Sequence, residues 1–345
     1  MNGVELMEVL KELKSGRFRS LYLLYGPEQY FIEEARHLLM KKAIAGEDAE
    51  LNITSFDMTE VPVEAAIEEA ETLPFLGDRK LVFIQNPLFF TAEKSKIDHD
   101  LIKLEQYLQD PSPFTILVFQ ARFEKLDERK KITKLIKKQA GILEAKKPAE
   151  KELSGWIQSK AAEEGAVIGE SAVHQLLNIA GFNLSVLAME IGKLALYAGE
   201  GGEITEEHVT SLTARTLESD IFRLVDQIVT GRWQEAFRIF YDLIRLNEEP
   251  LKILAIVAGQ FRLIYQVKEL SKKGYGQQQM AGQLKVHPFR VKIASGQSRS
   301  FTETQLASII QLLAESDYEM KSSGMEKKMI MEMFFFRLQT MMKAK

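Results

Sequence analysis

The chain is 345 residues long, 46% hydrophobic and 27% charged, the make-up of an ordinary soluble globular protein too long for a single core. A net charge of −4 excludes an overall basic field that would draw the whole molecule onto nucleic acid, so any such contact must be local. The absence of cysteine excludes disulfides and thiolate metal sites and fits a reducing cytosol.

Residues 1–8 carry no basic stretch followed by an apolar core, so no signal peptide is expected. Apolar runs with strand character follow at 20–25, 51–56, 80–85, 114–120 and 141–145. Several are continuous, which suits a sheet covered on both faces. Helical spacing lies between them at 31–45, 63–73, 99–109 and 128–139. Strands alternating with helices predict a mostly parallel sheet with crossovers over residues 1–147. After Pro148 the strand signal stops. Helices are predicted at 150–164, from Gly169, from an Asn183 cap to Tyr197, and from Thr205, making a small helical module over 148–213. Residues 214–345 read as helices at 220–230, 233–246, 250–273, 277–284, 288–295, 302–321 and from 326 onward. The fold class is therefore α/β followed by all-α. No apolar run approaches the roughly 20 residues of a membrane helix; the nearest, 329–336, is broken by Glu332.

The run at 21–25, ended by Gly26 and Pro27 and followed by a helical pattern, has the layout of a phosphate-binding loop without its phosphate-binding residues. Counted from Gly26, Phe31 replaces the second glycine, Ile32 the lysine, and Glu33 the magnesium-binding hydroxyl. Phe31 blocks close backbone approach, Ile32 removes a neutralising ammonium, and Glu33 adds a like charge. The strand at 80–85 ends in Gln85, Asn86 and Pro87, without the carboxylate that would organise magnesium. An ordinary strand-to-helix turn that never bound phosphate has the same pattern.

Other chemistry is sparse. The five histidines show no metal-ligand spacing and suit solvated or capping roles, so no metal site is expected. No serine lies in a nucleophile motif, and the paired glutamates suit a solvated face. No catalytic residue and no cofactor is expected. The connection from Thr72 to Arg79 is unusual, with Leu73, Phe75 and Leu76 beside Pro74 in a segment that belongs on the surface. Either these side chains fold back as core, or they form an exposed apolar wedge for a partner's pocket. Arg129, Lys130, Lys134, Lys137 and Lys138 recur at helical spacing, as a solvated face or a phosphate-backbone contact. Lys321, Lys327 and Lys328 form a weaker basic group, and the methionines between 320 and 342 suit helix packing.

From about Arg17 to the C-terminal helix the chain resembles the delta subunits of bacterial DNA polymerase III, the clamp-opening members of AAA+ clamp loaders. The resemblance rests on Leu-Tyr-Leu-Leu-Tyr-Gly-Pro-Glu-Gln-Tyr-Phe-Ile-Glu-Glu at 21–34 and Thr-Leu-Pro-Phe-Leu-Gly-Asp-Arg-Lys-Leu-Val at 72–82. It continues through Asn-Leu-Ser-Val-Leu at 183–187, Glu-Ile-Gly-Lys-Leu at 190–194 and Ile-Phe-Arg-Leu-Val-Asp at 221–226. Further on lie Pro-Leu-Lys-Ile-Leu at 250–254, Gln-Phe-Arg-Leu at 260–263 and Leu-Lys-Val-His-Pro-Phe at 284–289. It implies a RecA-like AAA+ domain over 1–147, a helical lid over 148–213 and an oligomerising helical collar over 214–345. It also implies a subunit that hydrolyses no ATP, as Phe31, Ile32 and Glu33 suggest, and a clamp-binding loop at Leu73, Pro74, Phe75 and Leu76. The implied partners are the sliding clamp, the tau/gamma ATPase subunits, delta-prime and primed DNA, in the cytoplasm and away from membranes. Two other readings stay open: a divergent active ATPase in which Arg36 or Lys41 replaces the missing lysine, and a DNA-binding helical adaptor acting through Arg129–Lys138.

Overall fold

Five strands, β1 (Leu21–Tyr25), β2 (Ile53–Asp57), β3 (Lys80–Gln85), β4 (Thr115–Ala121) and β5 (Gly141–Glu144), form one sheet in the order β2-β3-β4-β1-β5. Every pairing in it is parallel, with Leu23 opposite Phe119 on one side and Ile142 on the other. The computed structural model describes residues 3–44, 49–75 and 77–343. It divides into two units, residues 1–147 and 148–345.

In the first unit the apolar runs become strands because both faces are covered. α3 (Val63–Glu71), α4 (Leu101–Gln109) and α5 (Lys131–Gln139) pack on the face that carries Leu23, Val82, Leu117 and Phe119. α2 (Gln29–Ala43) covers the alternate residues, with the Arg36 guanidinium 4.9 Å from the centre of the Phe83 ring. α1 (Gly3–Lys14) buries Val9, Leu10 and Leu13 and packs beside α2 and β5. α1 was not among the predicted elements, although these three residues have helical spacing.

Several predicted boundaries shift for local reasons. Residues Ala49–Asn52 form a 3₁₀ turn, so β2 begins at Ile53 and not at 51. α3 stops at Glu71 because Thr72 caps it and Pro74 disfavours helical geometry at the preceding residue. That leaves Leu73 outside the helix. The helix predicted from 128 starts at Lys131. The one predicted to run to 45 ends at Ala43, and residue 45 lies outside the described residues.

The second unit holds α6 (Glu150–Glu163), α7 (Glu170–Ala180), α8 (Leu184–Ala198), α9 (Glu206–Leu212), α10 (Leu217–Val229), α11 (Trp233–Arg245) and α12 (Pro250–Lys272). α13 (Gln277–Leu284), α14 (Pro288–Ser298), α15 (Glu303–Ser322) and α16 (Lys327–Lys343) complete it. The strand signal does not stop at Pro148: β6 (Val167–Ile168) and β7 (Glu203–Ile204) pair in parallel, too short to leave a periodic pattern. Asn183 caps α8, accepting from the Ser185 and Val186 amides at 3.0 and 3.2 Å. Phe240, Phe261, Phe334 and Phe335 are fully buried around α12. Met320 and Met331 join this core, whereas Met325 and Met329 are exposed, so methionine packing accounts for only part of that cluster.

His99, His208 and His287 each accept a backbone N–H, at 3.2, 3.5 and 3.3 Å. Among the described residues there is no group of three or more His, Asp or Glu placed to hold a metal ion. None of the described helices is long and apolar enough to cross a membrane.

Candidate protein-interaction site

Gly26 ends β1 with φ +137°, and a Cβ there would sit 2.3 Å from the Ala145 carbonyl oxygen. Two bonds fix this approach: Ala145 N donates to Tyr25 O at 2.6 Å, and Glu28 N to Ala145 O at 2.9 Å. The glycine therefore serves close packing of the chain after β5. Between β1 and α2 lie just Gly26, Pro27 and Glu28, and the Glu28 carboxylate accepts from Tyr30 N at 3.4 Å. The positive end of α2 thus faces an anion that the chain itself supplies. Burial pushes the Glu28 carboxyl above its ordinary pKa, while the Tyr30 amide and the Lys147 charge oppose this.

Phe31 and Ile32 are buried, and Glu33 is exposed on the rim of a cleft of about 370 Å³ shared with Gln29, Arg36, Gln85 and Gln120. Asn86, at the end of β3, has φ +52° and donates from Nδ2 to Asp57 Oδ2 at 2.9 Å. Asp57 is a carboxylate that inspection of β3 alone misses, because it arrives from the neighbouring strand. Partial burial disfavours its ionised form, but bonds from the Thr59 amide and hydroxyl and from Asn86 outweigh this and lower its pKa. Arg36 is drawn over Phe83. Lys41 is in the last turn of α2, about 18 Å of helix rise from Gln29. Of the two cations that sequence offers in place of the missing lysine, one is therefore held against an aromatic ring while lining the cleft and the other lies at the far end of α2.

The connection after α3 is built differently. Leu73 is 77% exposed and Phe75 54%; Pro74 is half-buried, and Leu76 lies outside the described residues. Leu73 and Phe75 do not fold back as core. The root of the loop is nevertheless fixed. Lys80, 4% exposed, donates from Nζ to Glu69 O at 2.9 Å, to Glu69 Oε1 at 2.5 Å and to Thr72 Oγ1 at 2.5 Å. Thr72 Oγ1 donates in turn to Glu69 O at 2.8 Å, and the buried Thr115 hydroxyl donates to Ala70 O at 2.7 Å. At the tip, Asn52 donates from Nδ2 to Phe75 O at 2.7 Å and accepts from Phe75 N at 2.6 Å. Two exposed apolar side chains therefore project from a tethered backbone. Asn52 and Lys80 carry no local sequence signal for this role; the tip contact spans 23 residues of chain.

The basic cluster disperses. Arg129 precedes α5 and pairs with Asp127 at 2.9 Å, an interaction that holds the Asp127 pKa down at about 2. Lys130 caps α5 and donates to Phe89 O at 3.0 Å. Lys137 pairs with Glu128, and the adjacent Lys131 with Glu105. Lys134 and Lys138 are exposed on α5, and neither has a carboxylate within salt-bridge distance among the described residues. The five residues expected to form one stripe thus lie partly off the helix and partly in local pairs.

The family model for "DNA polymerase III, delta subunit" matches residues 22–146, and that for "DNA polymerase III delta subunit, C-terminal domain" matches 218–338. A model described as a middle domain matches 149–211. The DNA polymerase III subunit delta of Bacillus subtilis is 44% identical over 335 residues, covering 96% of each chain. A probable DNA polymerase III subunit delta of Aquifex aeolicus is 26% identical, over 74% of this chain and 72% of its own. The solved structure of the Bacillus subtilis DNA clamp loader delta protein superposes with a TM-score of 0.82 at 43% identity, covering 97% of this chain and 99% of that one.

Proposed function

Because the chain belongs to the delta-subunit family of the bacterial DNA polymerase III clamp loader, we propose that it binds the sliding clamp through Leu73, Pro74, Phe75 and Leu76 and opens the ring. The observation that carries this reading is the outward display of Leu73 and Phe75 on a loop whose root and tip are both tied down. A loop that is already ordered loses less entropy on docking, so more of its apolar burial is available as affinity. Opening needs no chemistry from this chain. A subunit that binds the open ring more tightly than the closed one shifts the ring equilibrium by that difference in affinity.

In this reading residues 1–147 are a degenerate AAA+ domain, 148–213 a lid and 214–345 a collar. The three family-model segments support that division. The collar joins the tau/gamma ATPases and delta-prime, and the assembly acts on primed DNA in the cytoplasm. The chain itself works without ATP, since its loop is closed by Glu28 and lined by Phe31 and Ile32. Titration calorimetry with magnesium-ATP is expected to show no binding to the purified chain, and saturable heat would contradict this.

The docking test is the double variant Leu73→Ala with Phe75→Ala. Burying each side chain contributes about 1.5–3 kcal/mol, so clamp affinity is expected to fall by roughly 100-fold or more. Both side chains are exposed in the free chain, so the unfolding midpoint should not move. Undiminished clamp binding would refute the proposal.

A further inference from the structure

We infer that Asn52 is the positioning residue of the docking loop: its buried amide aims Phe75 at the clamp although Asn52 itself touches no partner. This rests on the docking reading given above. Asn52 is 5% exposed, closes the 3₁₀ turn before β2, and uses both ends of its amide on one loop residue. Its Oδ1 takes the Phe75 N–H at 2.6 Å, and its Nδ2 gives to the Phe75 carbonyl at 2.7 Å. A paired donor and acceptor on the backbone of one residue fixes the peptide planes on both sides of it, and with them the direction of the Cα–Cβ bond. Phe75 as a residue is nevertheless 54% exposed, so the two bonds hold the backbone while the side chain stays open to a partner.

The side-chain type matters. Aspartate has the same shape but no donor, and it sets a negative charge against the Phe75 carbonyl oxygen. Leucine fills the volume with neither donor nor acceptor. Leucine releases both Phe75 groups and aspartate only the carbonyl. On the exposed Phe75 these can be rehydrated, so the loop gains conformational freedom in both variants, and the leucine variant avoids the added cost of a buried charge.

The test measures affinity of the full chain for the purified sliding clamp, together with hydrogen exchange of the Phe75 amide in the free chain. Asn52→Leu and Asn52→Asp are expected to weaken clamp binding roughly tenfold, the scale of re-ordering one backbone residue. Asn52→Leu is also expected to speed Phe75 amide exchange. In a Phe75→Ala background Asn52→Leu should cost nothing further, because no ring remains to be aimed. Equal weakening by Asn52→Leu with and without the Phe75 ring would assign the effect to general damage and overturn the inference. Parent-like binding by both Asn52 variants, with binding lost in the Leu73→Ala and Phe75→Ala double variant, would overturn the positioning role and leave docking intact. Parent-like binding by the double variant would remove both.

Discussion

A carboxylate between a strand end and a helix start can serve a ligand or the chain itself, and Glu28 serves the chain. Its pKa is raised, so the folded protein holds this proton more tightly than the unfolded chain does. The stability contributed by the group is therefore fully present below the unfolded pKa and is lost as pH rises through the raised folded value. Glu28→Gln keeps an oxygen acceptor for the Tyr30 N–H and removes the buried charge. It should make the protein more stable than the parent at neutral pH, with the advantage shrinking as pH falls toward about 4, the ordinary carboxylate range. Paired denaturant titrations at the two pH values would show this, and a variant less stable at neutral pH would mean that the charge at the end of α2 outweighs its burial. The same turn shows how far single residues were legible. The apolar character of Ile32 and the charge of Glu33 were legible because hydropathy and charge are local properties, and the fold buries the first and exposes the second. The reason for Gly26 was hidden, since the Ala145 carbonyl that excludes a Cβ comes from the far end of the unit. Asn52 was hidden in the same way, being an ordinary polar residue until the fold sets it against Phe75.

At the scale of elements, the stretch from α3 through the loop to β3 works as a bracket. Lys80 is nearly buried at the start of β3 and reaches back to the end of α3 and its cap. The two ends of the Lys80–Glu69 pair are unequal, at 5% and 32% side-chain exposure. Glu69→Ala leaves a buried ammonium short of its charged acceptor, whereas Lys80→Met takes the charge away and leaves a carboxylate that water can reach. Glu69→Ala is therefore expected to cost about 1–3 kcal/mol and Lys80→Met less, because a stranded buried charge is worse than an absent pair. Equilibrium unfolding of the two variants checks the order, and a larger loss for Lys80→Met would show that the ion pair itself carries the stability. Element identities were legible where period and length agree, as in β1, β3 and β4, whose continuous apolar runs lie under helices on both faces. The exact ends of α13 were legible as well. β6 and β7 were not, at two residues each, and the 3₁₀ turn at Ala49–Asn52 passed for the start of a strand. The exposed wedge was left open between two outcomes by sequence, because Leu73 and Phe75 have the hydropathy of core. Only the tether through Lys80 and Asn52 makes their exposure structural.

For the whole molecule, charge sets what the purified chain does with DNA. The net charge of −4 gives no long-range pull. The local basic cluster is mostly spent on its own neighbours, since Arg129, Lys130, Lys131 and Lys137 bond Asp127, Phe89 O, Glu105 and Glu128. Recruiting any of these to a phosphate means breaking an existing contact first. That leaves Lys134 and Lys138 as the available pair on α5. Counterion release gives a slope of log affinity against log salt of about −0.9 per phosphate neutralised, so two contacts predict about −1.8 and five about −4.5. The chain alone is thus expected to bind duplex DNA weakly, with a slope near −2 that Lys134→Glu with Lys138→Glu abolishes, while clamp affinity stays at the parent value. A slope of −4 or steeper would mean that the paired cations open onto the phosphate backbone, and would favour a DNA-binding adaptor over a subunit whose principal contact is apolar. The clamp and DNA measurements on one set of variants separate the two, because salt weakens phosphate contacts and leaves the burial of Leu73 and Phe75 largely untouched.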